Sequence, residues 1–142
     1  MPQRTADAVW NGTLLEGSGH LKSQTGKLDA DYNWRSRAES GGETNPEELL
    51  AAAHAGCFSM ALAHALAGAG HPAKQIRTRA SVAFEKVAEG FGITGIRLET
   101  TADVPGMDAA AFQEAAEGAK SGCPVSKALA SVPITLDAKL GK

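Results

Sequence analysis

Residues 45–73 read NPEELLAAAHAGCFSMALAHALAGAGHPA, and from Leu49 to Ala73 there is no Asp, Glu, Lys or Arg. The start of the stretch carries helix chemistry. Asn45 is a good N-cap, Pro46 suits the first helical position, and Glu47 and Glu48 favour the positive end of the helix dipole. Asn45 and Glu48 together make a pair like a capping box. The pattern predicts a helix from Pro46 to about Ala67, stopped by Gly68 and Gly70 before Pro72. It is apolar around its whole circumference, which predicts a helix enclosed on all sides. The stretch is long enough to span a bilayer. Yet it is mostly Ala and Gly, with His54, Ser59, His64 and His71 spread through it, and histidines facing lipid are costly. The reading is therefore a buried helix of a soluble protein.

The rest of the composition agrees with a shared core. The chain has 142 residues and a net charge of −2, with 14 basic and 16 acidic side chains. Such a balance gives no bias toward nucleic acid or membrane surfaces. Of its 61 apolar residues 27 are Ala, which leaves 34 larger ones, 7 of them aromatic. Burial energy scales with area, about 25 cal/mol per Å², and Ala offers little area. A chain so lean in large apolar groups is expected to share its core with a second copy. Residues 1–25 hold no continuous apolar block, so no secretory signal is expected. Two cysteines make no disulfide framework, which points to reducing cytoplasm.

Outward from the helix, the length predicts a single domain over 1–142. Thr5–Leu15 alternates in part, turns at Gly17, Ser18 and Gly19, and resumes over His20–Gln24 as a strand hairpin. Lys27–Arg37 reads as a short strand, then a loop holding Tyr32 and Trp34, and Ala38–Asn45 is a clear loop. Arg77–Val87 and Phe91–Val104 alternate around Gly90 and Gly92, a second hairpin. Asp108 caps a helix to about Lys120. Ser121 to Pro124 break it before a short helix over Val125–Ala130, and Pro133–Leu140 closes the chain as a strand. The class is α+β with mainly antiparallel sheet.

Candidate chemistry gathers on two cysteines. Cys57 lies mid-helix, where a free Cys often acts as a small buried hydrophobe. Cys123 lies in Ser121-Gly122-Cys123-Pro124-Val125 at a predicted helix start, where unpaired backbone N–H groups lower a thiol's pKa. A dithiol formed by folding could cycle through thiolate, sulfenic acid and disulfide. It would need a cation beside the attacking thiolate, for which Arg35 and Arg37 are candidates, and Glu47 or Glu48 to hold that cation. Glu47 and Cys57 stand ten residues apart on one helix, about 15 Å along its axis. A Glu47–Arg–Cys57 cluster is easier to build if a second chain supplies part of it. A metal reading uses His54 and Cys57, one turn apart, with Cys123, though no recognised ligand spacing occurs. No Walker loop, GxGxxG, GxSxG or HExxH is present.

The segment from Thr44 to Leu62, with its His54-Ala55-Gly56-Cys57, closely resembles the signature helix of the OsmC (osmotically inducible protein C) family. Gly122-Cys123-Pro124-Val125-Ser126-Lys127 resembles that family's second-cysteine motif. Trp10-Asn11-Gly12 and Ser36-Arg37 fit as well, so the resemblance covers nearly the whole chain. It implies an OsmC-like fold, with sheet wrapped around a long central apolar helix in an intertwined homodimer. It also implies a cytoplasmic thiol-dependent peroxidase of oxidative and osmotic stress that prefers organic hydroperoxides. Cys57 would be the peroxidatic cysteine and Cys123 the resolving one. Arg37 would stabilise the Cys57 thiolate and Glu47 would orient Arg37. The implied reductant is an external dithiol of lipoyl type, with no bound cofactor, no metal, no nucleic acid and no membrane. Walls bearing Phe58, Phe91 and Phe112 would suit an apolar peroxide tail. The competing reading is a non-enzymatic, stress-related binding protein with structural cysteines. The residues and the resemblance differ on one point: the helix-start context favours Cys123 as the lower-pKa thiol.

Overall fold

A run of short alternating strands opens the chain in the computed structural model, which describes residues 2–141. Strands β1 (Ala6–Asn11), β2 (Ser18–Ser23) and β3 (Asp29–Tyr32) form an antiparallel sheet in that order. Gly19 sits centrally, opposite Trp10 on one side and Tyr32 on the other. A Cβ at Gly19 would stand 2.6 Å from Trp10 Cε3 and 2.5 Å from Tyr32 Cε1. Only glycine lets the two rings meet across the sheet, with centroids 5.3 Å apart. This sheet belongs to the first of two compact units, which ends at Leu49; the second begins at Leu50.

After β3 the structure departs from the expected loop and forms a short helix, α1 (Trp34–Ala38). Its cap is reciprocal: Ser36 N donates to Asn33 Oδ1 at 2.8 Å and Asn33 N donates to Ser36 Oγ at 3.1 Å. Five residues are too few for apolar periodicity, and Ser36 stands where Glu or Gln usually completes the box, so the signal was easy to miss. The predicted long helix is α2 (Pro46–Gly68). Glu48 N donates to Asn45 Oδ1 at 2.8 Å, and the Glu48 carboxylate accepts the Thr44 hydroxyl at 2.8 Å.

The second unit holds a three-stranded sheet of β4 (Gln75–Val87), β5 (Gly90–Asp103) and β6 (Ile134–Leu140). Strands β4 and β5 form the expected hairpin, and Gly90 has φ +115°, a left-handed conformation that favours glycine. Strand β6 joins parallel to β5. The alternation of β5 breaks between Ile93 and Ile96 because the register shifts at Ala83/Phe84, so both fit one strand. Helix α3 (Ala109–Gly122) is capped by Asp108, which accepts from Ala111 N at 2.8 Å, and α4 (Pro124–Ala128) follows.

The core of this unit is made by Phe58, Leu62 and Leu66 of α2, Leu98 and Ala102 of β5, Phe112, Ala116 and Ala119 of α3, and Ala138 of β6. The row His54, Phe58, Leu62, Leu66 repeats every four residues and is 0% exposed throughout. The expectation of a helix enclosed on all sides is corrected here. Met60 is 76% exposed, and Ala52, Ala53, Gly56, Ala63, His64 and Ala67 are exposed beside it. By length and composition α2 could also cross a membrane.

Candidate active site

Folding brings together two thiols that are 66 positions apart. Cys57 Sγ on α2 and Cys123 Sγ, between α3 and α4, stand 2.8 Å apart, and both are free thiols. That is closer than packing alone requires and longer than the ~2.05 Å of a covalent S–S bond. Cys57 is half-buried and Cys123 is 0% exposed. The bend that places Cys123 comes from the Gly122-Cys123-Pro124 break: Cys123 ends α3, and Pro124 takes the first position of α4.

The pair is polarised. Burial pushes the Cys57 thiol up, and its hydrogen bond to Cys123 adds to the rise. Burial pushes Cys123 up as well. The contact with Cys57, the Ser126 backbone and hydroxyl, and the Val125 amide together outweigh it, so Cys123 lies below an ordinary thiol. That matches the local context of Cys123 in the sequence. Ser126 was not singled out there, because a Ser inside a motif carries no pattern of its own.

His54 lies one turn before Cys57, fully buried, with Nε2 2.7 Å from Ser126 Oγ. Burial lowers its pKa, so the ring is neutral. The metal alternative needed this ring together with the two thiols. Instead its Nε2 is engaged by Ser126, and among the described residues no group of three or more His, Cys, Asp or Glu could hold a metal ion.

In the first unit, Glu47 at the start of α2 is 6% exposed and receives three bonds from Arg37 of α1. Arg37 Nε donates to Oε1 at 3.0 Å and to Oε2 at 3.2 Å, and Nη2 donates to Oε1 at 2.8 Å. A carboxylate this deeply buried needs such a partner. Of the two candidate cations, Arg37 therefore meets Glu47, while Arg35 on the same helix is exposed. Glu48 serves the helix cap instead. Arg37 also borders an apolar groove of about 430 Å³ walled by Trp10, Leu14, Tyr32, Trp34 and Pro46. The sequence offered three phenylalanines as walls. Phe58 and Phe112 are 0% exposed core residues, and Phe91 is half exposed and stacks on Phe84 at 5.3 Å.

Comparisons with known proteins identify the family. The sequence profile of a family described as "OsmC-like protein" matches residues 39–137. The chain is 44% identical over 138 residues to peroxiredoxin OsmC of Escherichia coli (strain K12), covering 96% of each. It is 32% identical over 127 residues to organic hydroperoxide resistance protein OhrB of Bacillus subtilis (strain 168), covering 86% of this chain and 90% of that one. The crystal structure of OhrB of Bacillus subtilis matches with a TM-score of 0.71 at 29% identity, covering 96% of this chain and 98% of that one. An organic hydroperoxide resistance protein from Elizabethkingia anophelis gives a TM-score of 0.75 at 25% identity, covering 99% and 98%.

Proposed function

The chain belongs to the OsmC-like protein family, and from that premise we propose that it is a thiol-dependent peroxidase that reduces organic hydroperoxides to alcohols. The observation that carries the reading is the 2.8 Å approach of Cys57 and Cys123, a dithiol assembled by folding. In the proposed cycle the Cys57 thiolate attacks the distal peroxide oxygen. The O–O bond breaks, the alkoxide leaves and takes a proton to become the alcohol, and Cys57 becomes a sulfenic acid. The Cys123 thiolate then attacks that sulfur. An S–S bond forms, the S–O bond breaks, and hydroxide departs as water. An external dithiol, of lipoyl type by family resemblance, returns two electrons and two protons.

Access supports this division of roles: Cys57 is the less buried sulfur, and Cys123 is closed to solvent. In the 2.8 Å contact the Cys123 thiol donates to Cys57, the direction that suits a Cys57 thiolate. Arg37 is assigned to stabilise the Cys57 thiolate and Glu47 to orient Arg37, a role supported by their three hydrogen bonds. The apolar groove beside Arg37 suits an alkyl tail. Glu47 and Cys57 are ten residues apart on α2, about 15 Å along the axis. That spacing favours a homodimer in which a second copy completes each site, and the exposed apolar face around Met60 offers the contact surface. The proposed setting is the reducing cytoplasm.

The test is steady-state kinetics with an alkyl hydroperoxide against hydrogen peroxide, using dihydrolipoamide as donor. Turnover is expected to favour the alkyl substrate and to vanish in Cys57→Ser. Full activity in Cys57→Ser would instead mean that the cysteines are structural and the chain is not a thiol peroxidase.

A further inference from the structure

Helix α4 has no fully buried apolar side chain. Of its five residues Ser126 is the buried one, Val125 is half-buried, and Pro124, Lys127 and Ala128 are exposed. Yet Cys123 is the cap of α4, so the placement of α4 against α2 decides where that sulfur sits. Two side-chain hydrogen bonds tie this segment to α2. The Cys123 thiol donates to Cys57 Sγ at 2.8 Å, and Ser126 Oγ stands 2.7 Å from His54 Nε2. The spacing matches on both sides. His54 and Cys57 are three residues apart on α2, and Cys123 and Ser126 are three apart at the start of α4. Residues three apart on a helix are neighbours on one face. The two bonds are therefore adjacent rungs between the same two elements.

His54 is a costly occupant of its place. It heads the row His54, Phe58, Leu62, Leu66, is 0% exposed, and its Nδ1 is buried with no hydrogen-bond partner among the described residues. An unsatisfied buried polar atom lowers stability where an apolar side chain would not. What an apolar side chain could not supply is direction. Apolar contact holds two helices together at many offsets, whereas a hydrogen bond is strong only over a narrow range of distance and angle. The reaction between the thiols is as demanding. A disulfide forms at ~2.05 Å with a restricted dihedral angle, so sulfurs now 2.8 Å apart need to close by less than about 1 Å. A slip of one helical residue, about 1.5 Å, already exceeds that distance.

We propose that the His54–Ser126 hydrogen bond is a register rung: these two positioning residues hold α4 on α2 and so keep Cys123 within bonding reach of Cys57. In the reduced chain both rungs are noncovalent. In the disulfide the thiol rung is covalent and holds α4 by itself. The His54–Ser126 rung therefore acts on the reduced chain, where it raises the effective concentration of one thiol at the other. Its part in the resolving step rests on the peroxidase reading. There the Cys123 sulfur bonds to Cys57, the S–O bond of the sulfenic acid breaks, and hydroxide leaves with the Cys123 proton as water. A Cys123 held in register closes that bond before a second hydroperoxide oxidises the sulfenic acid further.

The test is the equilibrium of the chain with reduced and oxidised dithiothreitol, with no peroxide present. The chain dithiol gives two electrons and two protons to the oxidised reagent and becomes the Cys57–Cys123 disulfide. Ser126→Ala is expected to lower the equilibrium constant for that disulfide about three- to tenfold, the worth of one hydrogen bond. His54→Leu removes the same rung from the other side and should lower it as much, with the double variant no lower than either alone. Ser126→Thr, which keeps the hydroxyl, should restore it. A role in general stability alone would lower the urea midpoints of the reduced and oxidised chains equally and leave the constant unmoved, and that result overturns the proposal. So do effects of the two single variants that add in the double variant. Should neither variant fold, amide exchange of Lys127 and Leu129 in the unaltered chain decides the matter. These amides donate to the Cys123 and Val125 carbonyls at 3.0 Å. Slower exchange once the reagent has formed the disulfide supports the rung, and equal exchange in both forms refutes it. Because these readouts stand apart from turnover, a lowered constant in a chain without peroxidase activity would refute the function and keep the rung. An unmoved constant in an active peroxidase would do the reverse.

Discussion

His20 on β2 sits between two carboxylates of β3, with Nδ1 2.6 Å from Asp31 and Nε2 2.5 Å from Asp29. The hydrogen bond to Asp31 and then that to Asp29 raise its pKa above 6.5. A raised folded-state value means that this contribution is fully present below 6.5 and is lost as pH rises through the folded-state value. The urea midpoint of the chain is therefore expected to drop on the alkaline side of 6.5 by a step that His20→Gln lacks. A step of equal size in both chains would contradict this role. Residues of this kind differ in how openly the sequence displays them. Cys57 and Cys123 stand out because cysteine chemistry is rare and their motifs are specific. Arg37 against Arg35 depends on which face of a five-residue helix meets Glu47, and no pattern in the sequence reports that. Ser126 and the Asp29–His20–Asp31 row exist only once strands and helices are packed.

Among the elements, the first sheet turns on one glycine. Gly19 lies under Trp10 and Tyr32, and both rings wall the groove beside Arg37. Gly19→Ala places a methyl within 2.6 Å of ring atoms of both Trp10 and Tyr32, at a cost of about 1–3 kcal/mol for overpacking. The expected outcome is a lower urea midpoint, a changed near-ultraviolet circular dichroism from Trp10 and Tyr32, and a raised KM for the alkyl hydroperoxide. A spectrum and KM equal to the parent would show that the rings do not depend on Gly19. Element boundaries were legible where end chemistry is strong. Asn45-Pro46-Glu47-Glu48 placed the start of α2, Asp108 placed that of α3, and Gly90 placed the second hairpin. α1 escaped because its cap uses Ser36. The parallel pairing of β6 with β5 escaped because one strand's alternation does not encode its partner's direction. The Phe58 and Phe112 walls failed for a related reason: mid-helix position alone does not say whether a ring faces a core or a cleft.

For the whole molecule, the Ala-rich composition remains the governing fact. Ten of the 27 alanines lie between Leu49 and Ala73. Helix α2 buries one row of larger residues and leaves small ones and Met60 outside. A second copy seated on that face would cover it. The parent chain is accordingly expected to sediment as a dimer, and Met60→Asp to shift it toward monomer. A monomeric parent would remove the dimer from the account. The central claim is that Cys57 and Cys123 form a catalytic dithiol, and intact mass after one equivalent of an alkyl hydroperoxide tests it most directly. The account predicts that the parent loses about 2 Da through a Cys57–Cys123 disulfide, while Cys123→Ser gains about 16 Da as a Cys57 sulfenic acid. Unchanged masses in both chains, or oxygen added at residues other than Cys57, would contradict it.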